Sequence, residues 1–145
     1  MDRKVTFPKD FYWGVSTASH QVEGGTENQW SVWELAHATE LAKNAESTRP
    51  AELRLEDLPN WPEIKKRAKS PDNYVSGKGV DHYRRYKEDF DIAKKLHVNA
   101  FRFGIEWSRL EPKPGQWDEE AIEHYRDYIN QLHARNIEPF LNIWH

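Results

Sequence analysis

The sequence predicts an α/β protein built on a parallel sheet, because strand-like and helix-like segments alternate along most of the chain. Three short segments rich in aromatic and β-branched residues fall at about 11–19, 100–107 and 137–145. Helices are expected at about 81–97 and 118–134, where apolar residues recur at 3.6-residue spacing. Consecutive β-α-β units of this kind pair their strands in parallel through right-handed crossovers.

The first predicted strand is followed by Gly24 and Gly25, which indicate a loop. An irregular insert is predicted from 35 to 78, because this stretch is polar and prolines interrupt it at Pro50, Pro59, Pro62 and Pro71. The run WELAHATELAKNAE at 33–46 is helix-like, and we expect short helices at most within the insert. Its apolar residues could fold back over an open sheet edge; they are Leu53, Leu55, Leu58, Trp61 and Ile64.

Both predicted helices have recognisable ends. Asp81 is expected to be the N-cap of the first, with its carboxylate accepting hydrogen bonds from free backbone N–H groups. Asn99 marks the exit from that helix, and Asn136 suits the left-handed position that ends the second. The predicted buried stripes are Tyr83, Tyr86, Phe90, Ala93 and Leu96 or His97 in the first helix, and Ile122, Tyr125, Ile129 and Leu132 in the second.

Composition limits the possible functions. With 21 Lys and Arg against 24 Asp and Glu, the net charge is −3 and no basic cluster stands out, so we expect neither nucleic acid nor a membrane as a partner. The absence of cysteine, of a signal-peptide segment and of a long apolar span predicts a cytoplasmic protein. No phosphate-binding loop and no metal-ligand spacing of histidines is present, so no cofactor and no metal are expected.

Three blocks of the sequence, in order, resemble family-1 glycoside hydrolases, the retaining β-glucosidases and β-galactosidases. FYWG at 11–14 with STASHQVEG at 16–24 is similar to the opening strand of that family. The block from 81 to 118 resembles its first helix and second strand, with a Glu-Trp-Ser-Arg variant at 106–109 similar to archaeal-type members. The block from 134 to 145 resembles its third strand.

The resemblance implies a partial (β/α)8 TIM barrel with about three parallel strands, flanking helices and an irregular helical insert. The active site of such a barrel lies at the carboxyl ends of its strands. Retaining glycosidases need two carboxyl groups about 5–5.5 Å apart, and the family carries them after the fourth strand and at the seventh. The chain is therefore expected to be a β-glycosidase fragment that lacks both, with residual or complementation-dependent hydrolysis of β-glycosides.

The resemblance also assigns candidate site residues. Gln21 and His145 match residues that hydrogen-bond sugar hydroxyls, and Arg102 matches the arginine that supports the ionised nucleophile. Glu106 is the candidate substitute acid or base, expected on the same strand face as Arg102; the alternative is a rim residue without catalytic role. Glu138 is expected at the bottom of the barrel, away from the chemistry.

Two further expectations concern packing. Glu23 is expected to cap or orient loop backbone, and the tryptophans at 13, 107 and 144 match framework or rim positions of the family, where packing is expected rather than a role as sugar platforms. The seven Trp, six Tyr and six Phe supply a core but also suit sugar binding, because flat aromatic faces match the C–H faces of sugar rings.

Three modes of action stay open from the sequence. The chain could complement another fragment that carries the remaining strands. It could be a self-assembling or carbohydrate-binding module, because two sheet edges lack neighbours and exposed edges favour a homo-oligomer. It could also be a stable monomer with the insert folded over one edge. A small carbohydrate or β-glycoside is the expected ligand in the first two cases.

Overall fold

The computed structural model describes residues 6–45, 47 and 59–145. In chain order the elements are β1 (Gly14–Ser16), α1 (Ser19–Val22), α2 (Gln29–Asn44), α3 (Trp61–Arg67), a 3₁₀ turn (Pro71–Tyr74), α4 (His82–Lys95), β2 (Ala100–Gly104), α5 (Trp107–Leu110), α6 (Glu119–His133) and β3 (Glu138–Asn142). The first strand is shorter than expected, because the chain turns into the short helix α1 at Ser19.

The three strands form one parallel sheet in the order β1-β2-β3. Gly14 is level with Ala100, and Ala100 is level with Glu138. The strands therefore end along one edge, and the segments that follow them meet there. This shared edge is what brings the candidate site residues together.

The core lies between one face of the sheet and the helices α4 and α6. Phe90, Phe103, Leu132 and Ile137 are the largest fully buried side chains, and Tyr128 packs among them, with its ring centroid 4.5 Å from that of Phe103. Side chains alternate across a strand, so Arg102 lies on the face of the sheet opposite to the helices, where its side chain is exposed. The helix-covered face supplies the stability that holds the strand ends in place.

The start of α4 differs from the expectation. Asp81 takes a left-handed backbone conformation with φ of 59°, and its side chain makes no capping hydrogen bond. The carboxylate instead lies 3.6 Å from Nζ of Lys78, so it is engaged in an ion pair rather than with the helix N-terminus. The far end of α4 also differs from the expectation, because Leu96 is 65% exposed. In the first turn, His82 is buried although it is not part of the predicted stripe.

Helix α6 begins and ends at recognisable caps. The Asp118 carboxylate accepts a hydrogen bond from the backbone N–H of Ala121 at 3.0 Å. Asn136 has φ of 57°, which confirms the left-handed residue predicted at the exit. The buried face of α6 includes Ala121 and Tyr128, which are not part of the predicted stripe, whereas the predicted Ile122 and Ile129 are only partly buried.

The expectation of short helices at most in the insert is wrong. Helix α2 is 16 residues long and begins before position 35, because Asn28 forms a capping box with Ser31. It buries Ala38 and Ala42 and packs against the 3₁₀ turn. Of the apolar residues expected to cover a sheet edge, Leu53, Leu55 and Leu58 lie outside the described residues.

Candidate active site

A cavity of about 690 Å³ lies at the carboxyl ends of the three strands. The segments after all three strands line it, together with the beginning of α2. Three of the candidate residues, Gln21, Glu106 and His145, contribute to its wall. Arg102 does not line this cavity.

Glu106 is the most enclosed carboxylate of the cavity wall, with 7% of the residue exposed. One carboxylate oxygen accepts hydrogen bonds from Nδ2 of Asn28 at 3.2 Å and Oγ of Ser108 at 2.9 Å. The other accepts one from Oγ of Ser19 at 3.3 Å. Its backbone N–H donates to Oη of Tyr125 at 2.9 Å. These bonds fix the carboxylate and join the loops after β1 and β2 to the start of α2.

Glu106 does not share a strand face with Arg102, contrary to the expectation. Strand β2 ends at Gly104, and Glu106 is the residue before helix α5, so the alternation of side chains stops before it. Arg102 is exposed on the face of the sheet that the helices do not cover, where its Nη1 donates to Oγ of Ser16 at 3.1 Å. The two residues therefore lie in different surroundings.

A histidine and a glutamate form a second polar group in the same wall, and the sequence did not point to it. Nε2 of His20 lies 3.0 Å from the Glu34 carboxylate, which also accepts hydrogen bonds from N and Oγ of Ser76, each at 2.8 Å. Burial raises the pKa of Glu34, but the hydrogen bonds from Ser76 and His20 outweigh it and the pKa is lowered. The group ties the far end of the insert to the β1 loop.

The same two segments also meet through glycines, which we call the glycine clasp: Gly24 and Gly25 against Gly77 and Gly79. The N–H of Gly25 donates to the carbonyl of Gly77 at 2.8 Å. A Cβ atom at Gly24, where φ is +79°, would lie 1.9 Å from the Lys78 carbonyl oxygen. Only glycine permits both this conformation and this approach.

Glu23 has a larger role than orienting loop backbone. Its buried side chain accepts hydrogen bonds from Oη of Tyr125 at 2.8 Å and from Nε of Arg109 at 3.1 Å. Nη2 of Arg109 in turn donates to the carbonyl of Gly24. Burial raises the pKa of the Glu23 carboxyl to about 7, although the bonds from Tyr125 and Arg109 act in the opposite direction. The loop after β1 is therefore fastened to α5 and α6 behind the cavity.

Comparison with known proteins decides which family this architecture represents. A family model described as glycosyl hydrolase family 1 matches residues 3–145. The chain belongs to glycosyl hydrolase family 1. It is 31% identical over 144 residues to a 1,4-β-D-glucan glucohydrolase of Thermotoga neapolitana, covering 96% of this chain and 27% of the relative.

Solved structures of β-glycosidases agree. A β-glycosidase from Pyrococcus horikoshii superimposes with a TM-score of 0.65 and 27% identity, over 94% of this chain and 25% of the other. A family-1 β-glucosidase from Thermotoga maritima gives 0.63 and 29%, over 96% and 26%. The chain thus spans about a quarter of the length of these proteins. The predicted family and the predicted partial barrel are confirmed.

Residues 6–45, 47 and 59–145 contain no group of three or more histidine, cysteine, aspartate and glutamate side chains that could hold a metal ion. Among the same residues, no helix has the length and apolar character needed to cross a membrane.

Proposed function

We propose that this chain supplies one wall of the sugar-binding site of a β-glycoside hydrolase, and that hydrolysis requires the barrel strands that follow β3 in family 1. The observation that carries the proposal is the cavity at the strand ends, which Gln21, Glu106 and His145 line together. An amide and an imidazole both donate and accept hydrogen bonds, as recognition of neighbouring sugar hydroxyls requires.

The cavity carboxylates are engaged with donors of the protein itself, which argues against a catalytic role for them. Glu106 accepts from three side chains, and Glu34 accepts from His20 and Ser76. Glu111 accepts from Nε1 of Trp107 at 2.8 Å and from the N–H of Gly115 at 2.6 Å. A nucleophile and a proton donor must instead face the substrate as a pair. We therefore infer that the catalytic pair comes from a complementing barrel fragment, where Arg102 would face the nucleophile.

The proposed ligand is a small carbohydrate or β-glycoside. The Thermotoga neapolitana relative is a 1,4-β-D-glucan glucohydrolase, which favours β-linked glucose units as the first ligands to test. The substrate of the complemented barrel is proposed on the same ground.

A second candidate function is a self-assembled carbohydrate-binding module. It is favoured by the apolar side chains that β3 and the residues after it expose, namely Phe140, Leu141, Ile143 and Trp144. Exposed apolar patches at open sheet edges promote association. In such a homo-oligomer, Glu106 of several subunits could act together as a substitute for the missing pair.

Glucose binding tests the proposed site. Titration calorimetry of the purified chain should show Gln21→Ala weakening glucose binding by about fivefold or more, because a hydrogen-bonding partner of the sugar is lost. Gln116→Ala is the matched control, since Gln116 is exposed and does not line the cavity. Equal weakening by both variants, or by neither, would contradict the proposal.

Hydrolysis of a nitrophenyl β-glucoside separates the two candidates. The complementation proposal predicts that the chain alone does not hydrolyse this substrate. Light scattering of the same sample gives the molar mass of the species that is assayed. Turnover in a discrete oligomer that Glu106→Gln abolishes would instead support the self-assembled site.

A further inference from the structure

Helix α2 carries a row of aromatic rings that starts in the cavity and continues along its outer surface. The row consists of Trp30, Trp33 and His37, which are three and four residues apart and therefore share one side of the helix. The ring centroids of Trp30 and Trp33 are 6.0 Å apart, and those of Trp33 and His37 are 4.6 Å apart. Trp30 lines the cavity, so the row and the cavity form one continuous surface.

The rings are accessible and fixed. Trp30 is 57% exposed and Trp33 is 43% exposed. The His37 ring stacks on Trp33 at an interplanar angle of 20°, and its Nδ1 lies 2.8 Å from the Trp33 carbonyl oxygen. Rings held in this way lose little conformational entropy when a ligand binds to them.

The start of the row is fastened to the cavity wall. Asn28 uses its Oδ1 to accept hydrogen bonds from the N–H groups of Trp30 and Ser31, at 2.9 and 3.0 Å. Its Nδ2 donates to the Glu106 carboxylate. One side chain therefore sets the position of Trp30 relative to the carboxylate in the cavity.

Polar groups accompany the rings, which favours a carbohydrate over an apolar partner. Gln29 lines the cavity beside Trp30, and Glu40 lies exposed two turns beyond Trp33 on the same side of the helix. Carbohydrate sites combine aromatic faces for C–H groups with amide and carboxylate groups for hydroxyls. The exposed aliphatic residues Val32 and Leu35 lie on the other flank of α2.

We propose that the aromatic row Trp30, Trp33 and His37 is an extended binding surface for the further sugar units of a β-linked oligosaccharide whose first unit occupies the cavity. The inference rests on the proposed sugar site and specifies its substrate class as oligosaccharides rather than single sugars or short glycosides. The ligand would leave the cavity over Trp30 and run outward along α2.

Titration calorimetry with glucose and with a β-1,4-linked glucose tetramer tests the row. The tetramer should bind about five- to tenfold more tightly than glucose, because each aromatic contact adds a modest increment. Trp33→Ala should remove this gain and leave glucose binding unchanged, and Trp33→Tyr should keep it. Trp117→Ala, at an exposed tryptophan outside the cavity, is the matched control, and circular dichroism of each variant verifies the fold.

The possible results separate the two proposals. Equal affinity for glucose and the tetramer, or a gain that survives Trp33→Ala, overturns the aromatic row while leaving the sugar site intact. Tetramer binding that depends on Trp33 but not on Gln21 supports the row and refutes the proposed role of Gln21 in the cavity. Binding of neither sugar overturns both.

Discussion

The buried side chain of Glu23 forms one hydrogen-bonded group with the guanidinium of Arg109 and the phenol of Tyr125. Arg109 both pairs with this carboxylate and lies over the ring of Tyr83, 4.1 Å from its centroid. The ring of Tyr83 also stacks on that of His124, at a centroid distance of 3.7 Å. Two titratable groups therefore lie on either side of one arginine, and their pKa values shift in opposite directions.

Glu23 makes stability depend on pH. Its folded pKa of about 7 lies above the ordinary value of 4.5, so the folded state holds a proton more tightly than the unfolded state. This contribution is complete below about pH 4.5 and is lost as the pH rises through 7, by at most about 3 kcal/mol. Urea unfolding from pH 4 to 8 should show Glu23→Gln removing this decline, and the same decline in the variant would contradict the assignment.

His124 should act in the opposite sense. Burial and the charge of Arg109 lower the pKa of its imidazole to about 4, so stability is lost as the pH falls from 6.5 toward 4. Its buried Nε2 also has no hydrogen-bond partner within the described part of the chain. His124→Phe keeps a ring on Tyr83 and should stabilise the protein by about 1 kcal/mol.

Urea unfolding of His124→Phe between pH 4 and 7 provides the measurement. The variant should lose stability more steeply than the parent protein as the pH rises across this range, since the opposing contribution of His124 is removed while that of Glu23 stays. Destabilisation at every pH would show that the imidazole makes a contact that phenylalanine cannot replace.

At the scale of elements, helix α2 depends on Asn28 for its first turn and for its link to Glu106. Asn28→Ala should destabilise the protein by about 1 kcal/mol or somewhat more, because the N-cap and a buried carboxylate partner are both lost. Asn28→Ser keeps a capping oxygen but not the amide donor.

Comparison of the two variants by urea unfolding separates the N-capping role of Asn28 from its hydrogen bond to Glu106. Serine should restore most of the stability if capping dominates. Sugar binding should stay weakened in both variants, because neither holds Trp30 in place relative to Glu106. Full recovery of binding with serine would rule out a positioning role for the Asn28 amide.

Elements with local signals could be predicted from the sequence, and those set by distant contacts could not. Helices α4 and α6 follow from their apolar spacing, and β2 follows from its aromatic and β-branched residues. The left-handed Asp81 has no local signal, since aspartate is an ordinary N-cap. Glu23 could not be placed either, because its partners lie 86 and 102 residues further along the chain.

For the whole molecule, the open sheet edges predict association. Strands β1 and β3 each pair on one side only within the described residues, and Leu141 is 45% exposed on β3. Light scattering at increasing concentration should show a rising molar mass, and Leu141→Lys should reduce it because a charge on an edge strand opposes pairing. Lys113→Leu, outside the sheet, is the reverse control, and a constant monomer mass would contradict the prediction.

The glycine clasp has a consequence for how this region tolerates change in length. Gly24 and Gly25 hold the chain against Gly77 and Gly79, so the segment between them leaves and returns at one fixed point. The entropy of closing such a loop changes by only about 0.6 kcal/mol for each doubling of its length. Residues could therefore be gained or lost between the end of α2 and the 3₁₀ turn with little effect on the strand ends, because the part of α2 that lines the cavity is held separately by Asn28 and Glu34.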